Sequence, residues 1–150
     1  MTYRAPVRDL AFTLEAVAGM TDVAATGAFP DYDADVASAV LEAAGQFSEE
    51  VLAPLNRIGD QQGSTYANGA VTAAPGFADA YRQFAAGGWT GLSAPAEAGG
   101  QALPKALELA AYETVHAANM AFGLCPMLSL AAIEALEQVG TQAVSYTHLT

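Results

Sequence analysis

The chain has 150 residues, which is the usual size of a single domain. Its formal net charge is −11, from 16 acidic and five basic residues. This balance argues against nucleic-acid binding, which needs clustered basic residues, and against docking on an anionic membrane. Charged residues make up only 14% of the chain, so we expect some apolar surface to meet another domain or subunit.

Cys125 is the only cysteine, so no intrachain disulfide can form, and its apolar neighbours predict a buried, inert thiol. The N-terminus has no apolar secretory segment, which indicates a cytoplasmic protein. Residues 114–133 contain no Asp, Glu, Lys or Arg and are long enough to span a bilayer. Because Pro126 interrupts this stretch, we predict a buried helix, a bend and a second buried helix, with no membrane span.

The N-terminal third of the chain predicts two helices. Residues 6–17 have apolar side chains at helical spacing, and Gly19 can end this first helix. Residues 20–30 show no clear period and are predicted to form a loop. A second helix follows, and Pro54 predicts that it kinks or ends near Leu52, with residues 55–63 leading into a turn.

Asp31, Asp33, Asp35 and Glu42 have the spacing of four ligands in a calcium-binding loop. Such a loop needs glycine at its sixth position, and this chain has Val36 there. Carboxylates also favour the N-terminus of a helix, because they cap free amides and interact with the helix dipole. We therefore interpret the three aspartates as the start of the second helix.

Proline at the start and glycine at the end mark three further helices. Asn68-Gly69 predicts a tight turn, but the segments beside it are too short to predict strands with confidence. The third helix begins at Pro75 and ends at Gly87-Gly88, and the fourth begins at Pro104. After a bend near Gly123, a fifth helix is predicted to begin at Pro126 and to stop at Gly140.

The last seven residues, 144–150, abruptly end the alanine-rich composition of the chain. They resemble a translated adaptor end from a sequencing library, so we expect them to be read-through sequence rather than part of the fold. His148 lies in this tail and is not a candidate site residue.

No self-contained active site is apparent in the sequence. His116 has no second metal ligand at a suitable spacing, so we interpret it as a packed or hydrogen-bonded residue, with a polar group lining a cavity as the alternative. Gly88 and Gly91 follow a helix rather than a strand, which is the wrong context for a dinucleotide-phosphate loop.

The most informative segment is an 18-residue run from Gly87 to Pro104, G-G-W-T-G-L-S-A-P-A-E-A-G-G-Q-A-L-P. A connection of this length is usually functional or tightly packed. The simplest interpretation is a connector between two helices, in which Trp89 and Leu92 fill the core. The alternative is a loop whose shape is fixed because something large docks nearby.

The pattern of this run resembles the segment that joins two helices in the N-terminal domain of acyl-CoA dehydrogenases. Residues 51–63 resemble the end of that domain's long first helix, and residues 126–141 resemble the helix before the family's central β-domain. The opening M-x-Y-x-A-P-x-x-D resembles the N-terminal extension of the 3-methylmercaptopropionyl-CoA dehydrogenase-like subgroup. The resemblance covers nearly all of residues 1–143.

The resemblance implies an all-α fold of about five helices, with an N-terminal extension over residues 1–34 and an incomplete helical domain over 35–143. It implies a parent enzyme that uses FAD to oxidise the Cα–Cβ bond of an acyl-CoA, with an electron-transfer partner and a homo-oligomeric state. The family's catalytic glutamate and most of its FAD contacts would lie outside this chain. Phe122, Met127 and Leu128 correspond to the wall of the acyl pocket, with core packing as the alternative for each.

Two functions are therefore open at this point. The first is a fragment of a flavin-dependent acyl-CoA dehydrogenase that is inactive alone. The second is a non-enzymatic helical module that binds a protein partner or an apolar ligand through its alanine-rich surface.

Overall fold

The computed structural model describes residues 3–141, 143, 144 and 147. His148 and four other residues of the predicted tail lie outside these described residues. In chain order the elements are α1 (Val7–Phe12), α2 (Met20–Ala25), α3 (Ala34–Phe47), α4 (Ala53–Gln62), β1 (Thr65–Ala67), β2 (Ala70–Thr72), α5 (Phe77–Ala86), α6 (Lys105–Ala118) and α7 (Met120–Val139). The predicted all-α class is confirmed, since the two strands are three residues each.

The first helix agrees with its prediction, but the loop predicted after it is wrong. α1 continues through a π-helical turn at Thr13–Val17, and Gly19 ends it with a left-handed backbone. α2 then occupies Met20–Ala25, where no helix was predicted. The helix is short, and Met20 fixes it by burying its side chain in the core, a contact that local periodicity does not reveal.

α3 begins as predicted, with Asp33 as its N-cap. The Asp33 Oδ1 atom accepts a hydrogen bond from the Val36 amide at 2.8 Å. The helix was predicted to kink or end near Leu52, and a π-helical turn at Ser48–Leu52 joins α3 to α4 there. The helix does not end at this point, and residues 55–63, predicted to lead into a turn, are helical as far as Gln62. We call Ser48–Leu52 the wide turn. Its wider hydrogen-bonding pattern accommodates Pro54, which has no amide hydrogen to donate.

The Asn68-Gly69 turn forms as predicted, and it joins two real strands that the sequence did not predict with confidence. Asn68 and Gly69 both have positive φ angles, as a tight hairpin turn requires. Tyr66 pairs with Val71 across the antiparallel ladder. All residues of both strands are exposed, so this hairpin is held by its turn and ladder rather than by the core.

The predicted bend near Gly123 lies instead at Asn119. α6 ends at Ala118 and α7 begins at Met120, so Pro126 lies inside α7 rather than at its start. α7 ends before Gly140, as predicted. The start of α7 depends on the side chain of Asn119, which caps the helix by accepting a hydrogen bond from the Phe122 amide.

Two groups of buried side chains form the core, and α6 contributes to both of them. The aliphatic cluster contains Leu10, Leu14, Met20, Tyr32, Ala37, Leu41, Ala44, Leu92, Leu103, Leu107, Ala110 and Ala111. The aromatic cluster contains Leu52, Ala80, Phe84, Tyr112, Val115, Ala118 and Phe122. Trp89 packs against both clusters and Leu92 is buried, which confirms that the connector fills the core.

The N-terminal arm is attached to the wide turn by Glu49. The Ala5 amide donates to Glu49 Oε1 at 2.9 Å, and Arg4 Nη1 lies 2.5 Å from Glu49 Oε2. The absence of a side chain at Gly45 leaves room for Val7, whose methyl group would lie 2.9 Å from an added Cβ. The hydrogen bond from Ala5 and the interaction with Arg4 lower the pKa of the Glu49 carboxyl below its ordinary value.

Because the pKa of Glu49 is lowered, we expect the folded chain to lose stability in acid, where protonation of Glu49 weakens its contacts with the N-terminal arm. The ionised carboxylate stabilises the folded chain above its unfolded-state pKa of about 4.3, and this contribution is lost as pH falls through the lower folded-state pKa. We therefore expect Glu49→Gln to have a lower denaturation midpoint than the wild type at neutral pH, with the difference closing in acid. Glu50→Gln is the matched control on the same turn, and a difference that persists in acid would contradict this prediction.

Candidate functional site

α7 presents a row of exposed apolar side chains, which we call the α7 face. The face consists of Met120, Leu124, Met127 and Leu128, whose exposed fractions are 54%, 48%, 41% and 69%. Three of them, Met120, Leu124 and Leu128, follow one another at four-residue spacing and so lie on one side of the helix. Such a continuous apolar surface marks a site of interaction.

This exposure overturns two predictions. The second helix of the stretch 114–133 was predicted to be buried, but only 17% of the most apolar window of α7 is buried. Cys125, predicted to be buried, is exposed on α7. By length and composition only, α7 is long and apolar enough to cross a bilayer.

The structure separates the three residues predicted to line an acyl pocket. Phe122 is 4% exposed and packs in the aromatic cluster, with its ring centroid 5.5 Å from that of Phe84. Met127 and Leu128 lie on the α7 face. Met120 and Leu124 were not predicted as site residues, although their four-residue spacing toward Leu128 places them on the same side of the helix. The pocket role of these residues stays a prediction.

The connector Gly87–Pro104 folds back on itself through backbone hydrogen bonds. The Gln101 amide donates to the Gly91 carbonyl at 2.8 Å, and the Leu103 amide donates to the Leu92 carbonyl at 2.9 Å. A Cβ at Gly100 would lie 2.1 Å from the carbonyl oxygen of Ala94, so only glycine fits there. The connector is therefore a shaped, hydrogen-bonded segment rather than a loose loop.

Glu108 joins the connector to α6 and is almost completely buried, with 1% of the residue exposed. Its Oε2 atom accepts from the Ser93 amide at 3.2 Å and from the Ser93 hydroxyl at 2.5 Å. Its Oε1 atom lies 2.7 Å from Lys105 Nζ, which also lies 3.6 Å from Glu134 Oε2 on α7. Glu108 was not predicted as a functional residue, although it is an acid next to Leu107 on the apolar side of the predicted helix.

The charges around Glu108 shift the pKa values of its neighbours. Burial alone would lower the pKa of Lys105, but hydrogen bonding and attraction to Glu108, and then Glu134, raise it above its ordinary value. Burial, with the negative charge of Glu108, raises the pKa of the Tyr112 phenol far above its ordinary value. Lys105 is therefore charged and Tyr112 neutral throughout the physiological range.

A crevice of about 210 Å³ lies between the connector and the second half of α7. Ser93, Lys105 and Glu108 line its polar side, and Leu130 and Ile133 line its apolar side. These polar groups are engaged with one another, as the distances above show. Ser93, Lys105 and Glu108 therefore hold the connector against α6 at the edge of this crevice.

His116 is held by a hydrogen bond, as predicted. Its Nδ1 atom lies 2.9 Å from the Tyr112 carbonyl oxygen, and a Cβ added at Gly123 would lie 2.5 Å from its ring. Within the part of the chain that the structure describes, no group of three or more potential metal ligands is found. His116 is therefore a packing residue between α6 and α7.

Comparison with known proteins identifies the family. Residues 35–150 match the family described as "Acyl-CoA dehydrogenase, N-terminal domain". The chain belongs to this family. It is also 46% identical over 143 residues to a 3-methylmercaptopropionyl-CoA dehydrogenase of Ruegeria pomeroyi (strain ATCC 700808 / DSM 15171 / DSS-3). That alignment covers 95% of this chain but 24% of the relative, so the chain spans about a quarter of the relative's length.

Membership of the acyl-CoA dehydrogenase family raises the question of whether the described residues could hold FAD. A flavin dinucleotide needs donors or cations for its diphosphate. Three of the five basic residues are already paired with carboxylates, namely Arg4 with Glu49, Arg82 with Asp79, and Lys105 with Glu108. No glycine-rich turn joins a strand to a helix in the described residues. The described residues therefore show no cluster of free cations or glycine-rich turn that would hold the diphosphate of FAD.

Proposed function

We propose that this chain is the N-terminal helical part of a larger flavin-dependent acyl-CoA dehydrogenase, and that it is inactive alone. The parent enzyme would oxidise the Cα–Cβ bond of an acyl-CoA thioester. It would bind FAD through residues outside this chain, pass electrons to a partner protein, form a homo-oligomer and act in the cytoplasm. Within it, the chain would supply the helical wall of the acyl pocket.

The observation that carries this proposal is the α7 face in a chain of this family. Four apolar side chains stand exposed on a helix that already buries its other side against α6. An acyl chain is apolar, and each buried CH₂ group gains about 0.8 kcal/mol when it leaves water. A wall of leucine and methionine binds such a chain without charged groups, and methionine adapts to irregular shapes.

The chemistry of the described residues supports a role in substrate binding, with the reacting groups supplied by the rest of the parent enzyme. Glu108 is buried and is paired with Lys105 and Ser93, which engages its carboxylate in contacts within the fold. His116 is bonded to a backbone carbonyl. The chain would therefore bind and shield the apolar part of the substrate, and the bond-breaking groups would come from the rest of the parent enzyme.

A test compares two exposed leucines in the completed enzyme, obtained by extending the reading frame in the source DNA. Leu128 on α7 is 69% exposed and Leu109 on α6 is 62% exposed. We expect Leu128→Asp to lower kcat/KM for an apolar acyl-CoA by about tenfold or more, because it places a charge against the acyl chain. Leu109→Asp, the matched control, should leave kcat/KM unchanged.

Three results would count against the proposal. The completed protein could lack FAD and acyl-CoA oxidation, the two aspartate variants could behave alike, or the 150-residue chain could itself oxidise an acyl-CoA. In the chain alone, both variants should keep the free energy of unfolding within about 0.5 kcal/mol, since both leucines are exposed. This control separates loss of binding from loss of folding.

A further inference from the structure

A single residue, Asn119, separates α6 from α7. It has a non-helical backbone, with φ −157° and ψ 87°, between a helix of 14 residues and a helix of 20. Only 1% of Asn119 is exposed. The change of direction between two long helices therefore occurs at one buried residue.

All four polar groups of Asn119 are hydrogen-bonded within the fold. Its amide donates to the Val115 carbonyl at 2.9 Å, and its carbonyl accepts from the Gly123 amide at 3.0 Å. Its Oδ1 atom accepts from the Phe122 amide at 3.1 Å, and its Nδ2 atom donates to the Leu52 carbonyl at 3.2 Å. The last bond crosses 67 residues of sequence and ends on the wide turn.

The wide turn has a second hydrogen bond to the α6–α7 pair, and this one belongs to α6 alone. The hydroxyls of Ser48 and Thr114 lie 2.9 Å apart and are buried. Thr114 also donates to the Ala111 carbonyl within α6. α6 is thus fixed to the wide turn independently of Asn119, whereas the start of α7 is fixed to it through the Asn119 side chain.

We infer that Asn119 is a positioning residue whose bond to Leu52 sets the direction of α7 relative to the wide turn. It caps α7 through Oδ1 and fixes that cap in space through Nδ2. The α7 face then takes its place from Asn119, although Asn119 is not part of the face. Whether this placement of the α7 face affects the binding of an acyl chain rests on the proposed function.

Two residues of the chain allow this role to be tested by a distance measurement. Trp89 in the connector is the only tryptophan, and Cys125 on α7 is the only cysteine and is exposed. A thiol-reactive energy acceptor on Cys125 therefore reports the distribution of distances from Trp89 to α7. The measurement uses the 150-residue chain with its own tryptophan and cysteine, so no labelling site has to be added or removed.

Three variants separate the two roles of the side chain. Asn119→Ala loses both the cap and the bond to Leu52, whereas Asn119→Ser keeps a capping hydroxyl that is too short to reach Leu52. Asp33→Ala is the matched control, because Asp33 also caps its helix through the amide three residues ahead, but from an exposed position on α3. Far-UV circular dichroism checks that each variant keeps its helices.

We expect both Asn119 variants to broaden the distribution of Trp89–Cys125 distances, and Asp33→Ala to leave it as in the wild type. If Asn119→Ser matches the wild type, or if Asn119→Ala matches Asp33→Ala, the positioning role is wrong.

A further variant keeps the test decisive if Asn119→Ala does not fold. Asn119→Gln retains both polar groups of the side chain but moves them outward by one methylene group, so the cap and the bond to Leu52 cannot both keep their geometry. It should therefore broaden the distance distribution as well. A distribution equal to that of the wild type would contradict the positioning role.

The completed enzyme distinguishes this inference from the proposed function. There, Asn119→Ser should raise KM for an apolar acyl-CoA more than it changes kcat. If the distances in the chain broaden but KM stays constant, Asn119 still positions α7, and the acyl-wall function is wrong. If the distances stay unchanged, the positioning role is wrong whatever the value of KM.

Discussion

Replacing Glu108 by alanine is expected to lower the free energy of unfolding by about 3 kcal/mol. The variant loses the hydrogen bonds to a buried carboxylate and leaves their donors without an acceptor. The Ser93 amide and hydroxyl would both lose their acceptor. Lys105 is 43% exposed and can turn toward water, which keeps the loss below that of a fully buried pair. Urea denaturation followed by Trp89 fluorescence measures the effect, because Trp89 lies in the connector that Glu108 holds.

The control for Glu108 is the other carboxylate near Lys105. Glu134 is 60% exposed and lies 3.6 Å from the lysine, so Glu134→Gln should change the free energy of unfolding by no more than about 0.5 kcal/mol. If the two variants lost the same free energy of unfolding, Glu108 would act by neutralising the charge of Lys105 and not by holding the connector. Unchanged stability in Glu108→Ala would contradict the buried network itself.

The elements that the sequence predicted are those determined by neighbouring residues. α5 begins two residues after Pro75, at Phe77, and ends before Gly87-Gly88, and α3 begins at the Asp33 cap, because proline, glycine and capping residues act over one turn. α2 could not be predicted in this way, since it is six residues long and depends on the burial of Met20. The Asn68-Gly69 turn was found, but strands of three residues give too little pattern to recognise.

The errors around Pro54 and Pro126 share a physical cause. Pro54 was expected to kink or end a helix and Pro126 to start one, and each lies within a continuous helical segment. A wide turn accommodates Pro54, and the start of α7 is set by Asn119 through a contact with Leu52. Contacts between residues 67 positions apart leave no trace in local spacing.

The candidate site was predicted in part for a similar reason. The resemblance to the family implied that residues 122–128 form the wall of the acyl pocket. The structure places part of that segment in the core and part on the α7 face. Helical spacing alone assigns Phe122 and Leu128 to different sides of α7, since six residues correspond to more than one and a half turns. What spacing does not reveal is which side faces α6, because that depends on how α6 and α7 pack.

Replacing Gly100 by alanine is the second change for which we expect a large effect. The free energy of unfolding should fall by about 3 kcal/mol, which is the upper end of the usual cost of overpacking. The added methyl group would lie 2.1 Å from the Ala94 carbonyl oxygen and 2.4 Å from the Ala94 carbonyl carbon. Backbone atoms cannot turn aside as a side chain can, so the two backbone segments of the connector must separate. Thermal denaturation of Gly100→Ala beside the wild type measures the loss.

The matched control for Gly100 is Gly91, its neighbour across the connector. A Cβ at Gly91 would lie 3.5 Å from the Cα of Gly100, which is ordinary van der Waals contact, so Gly91→Ala should stay within about 0.5 kcal/mol of the wild type. If both alanine variants were equally unstable, the connector would need glycine for flexibility rather than for close approach. A specific loss at Gly100 would instead show that the connector is held by contact between its own backbone segments, and that Trp89 and Leu92 reach the core because of it.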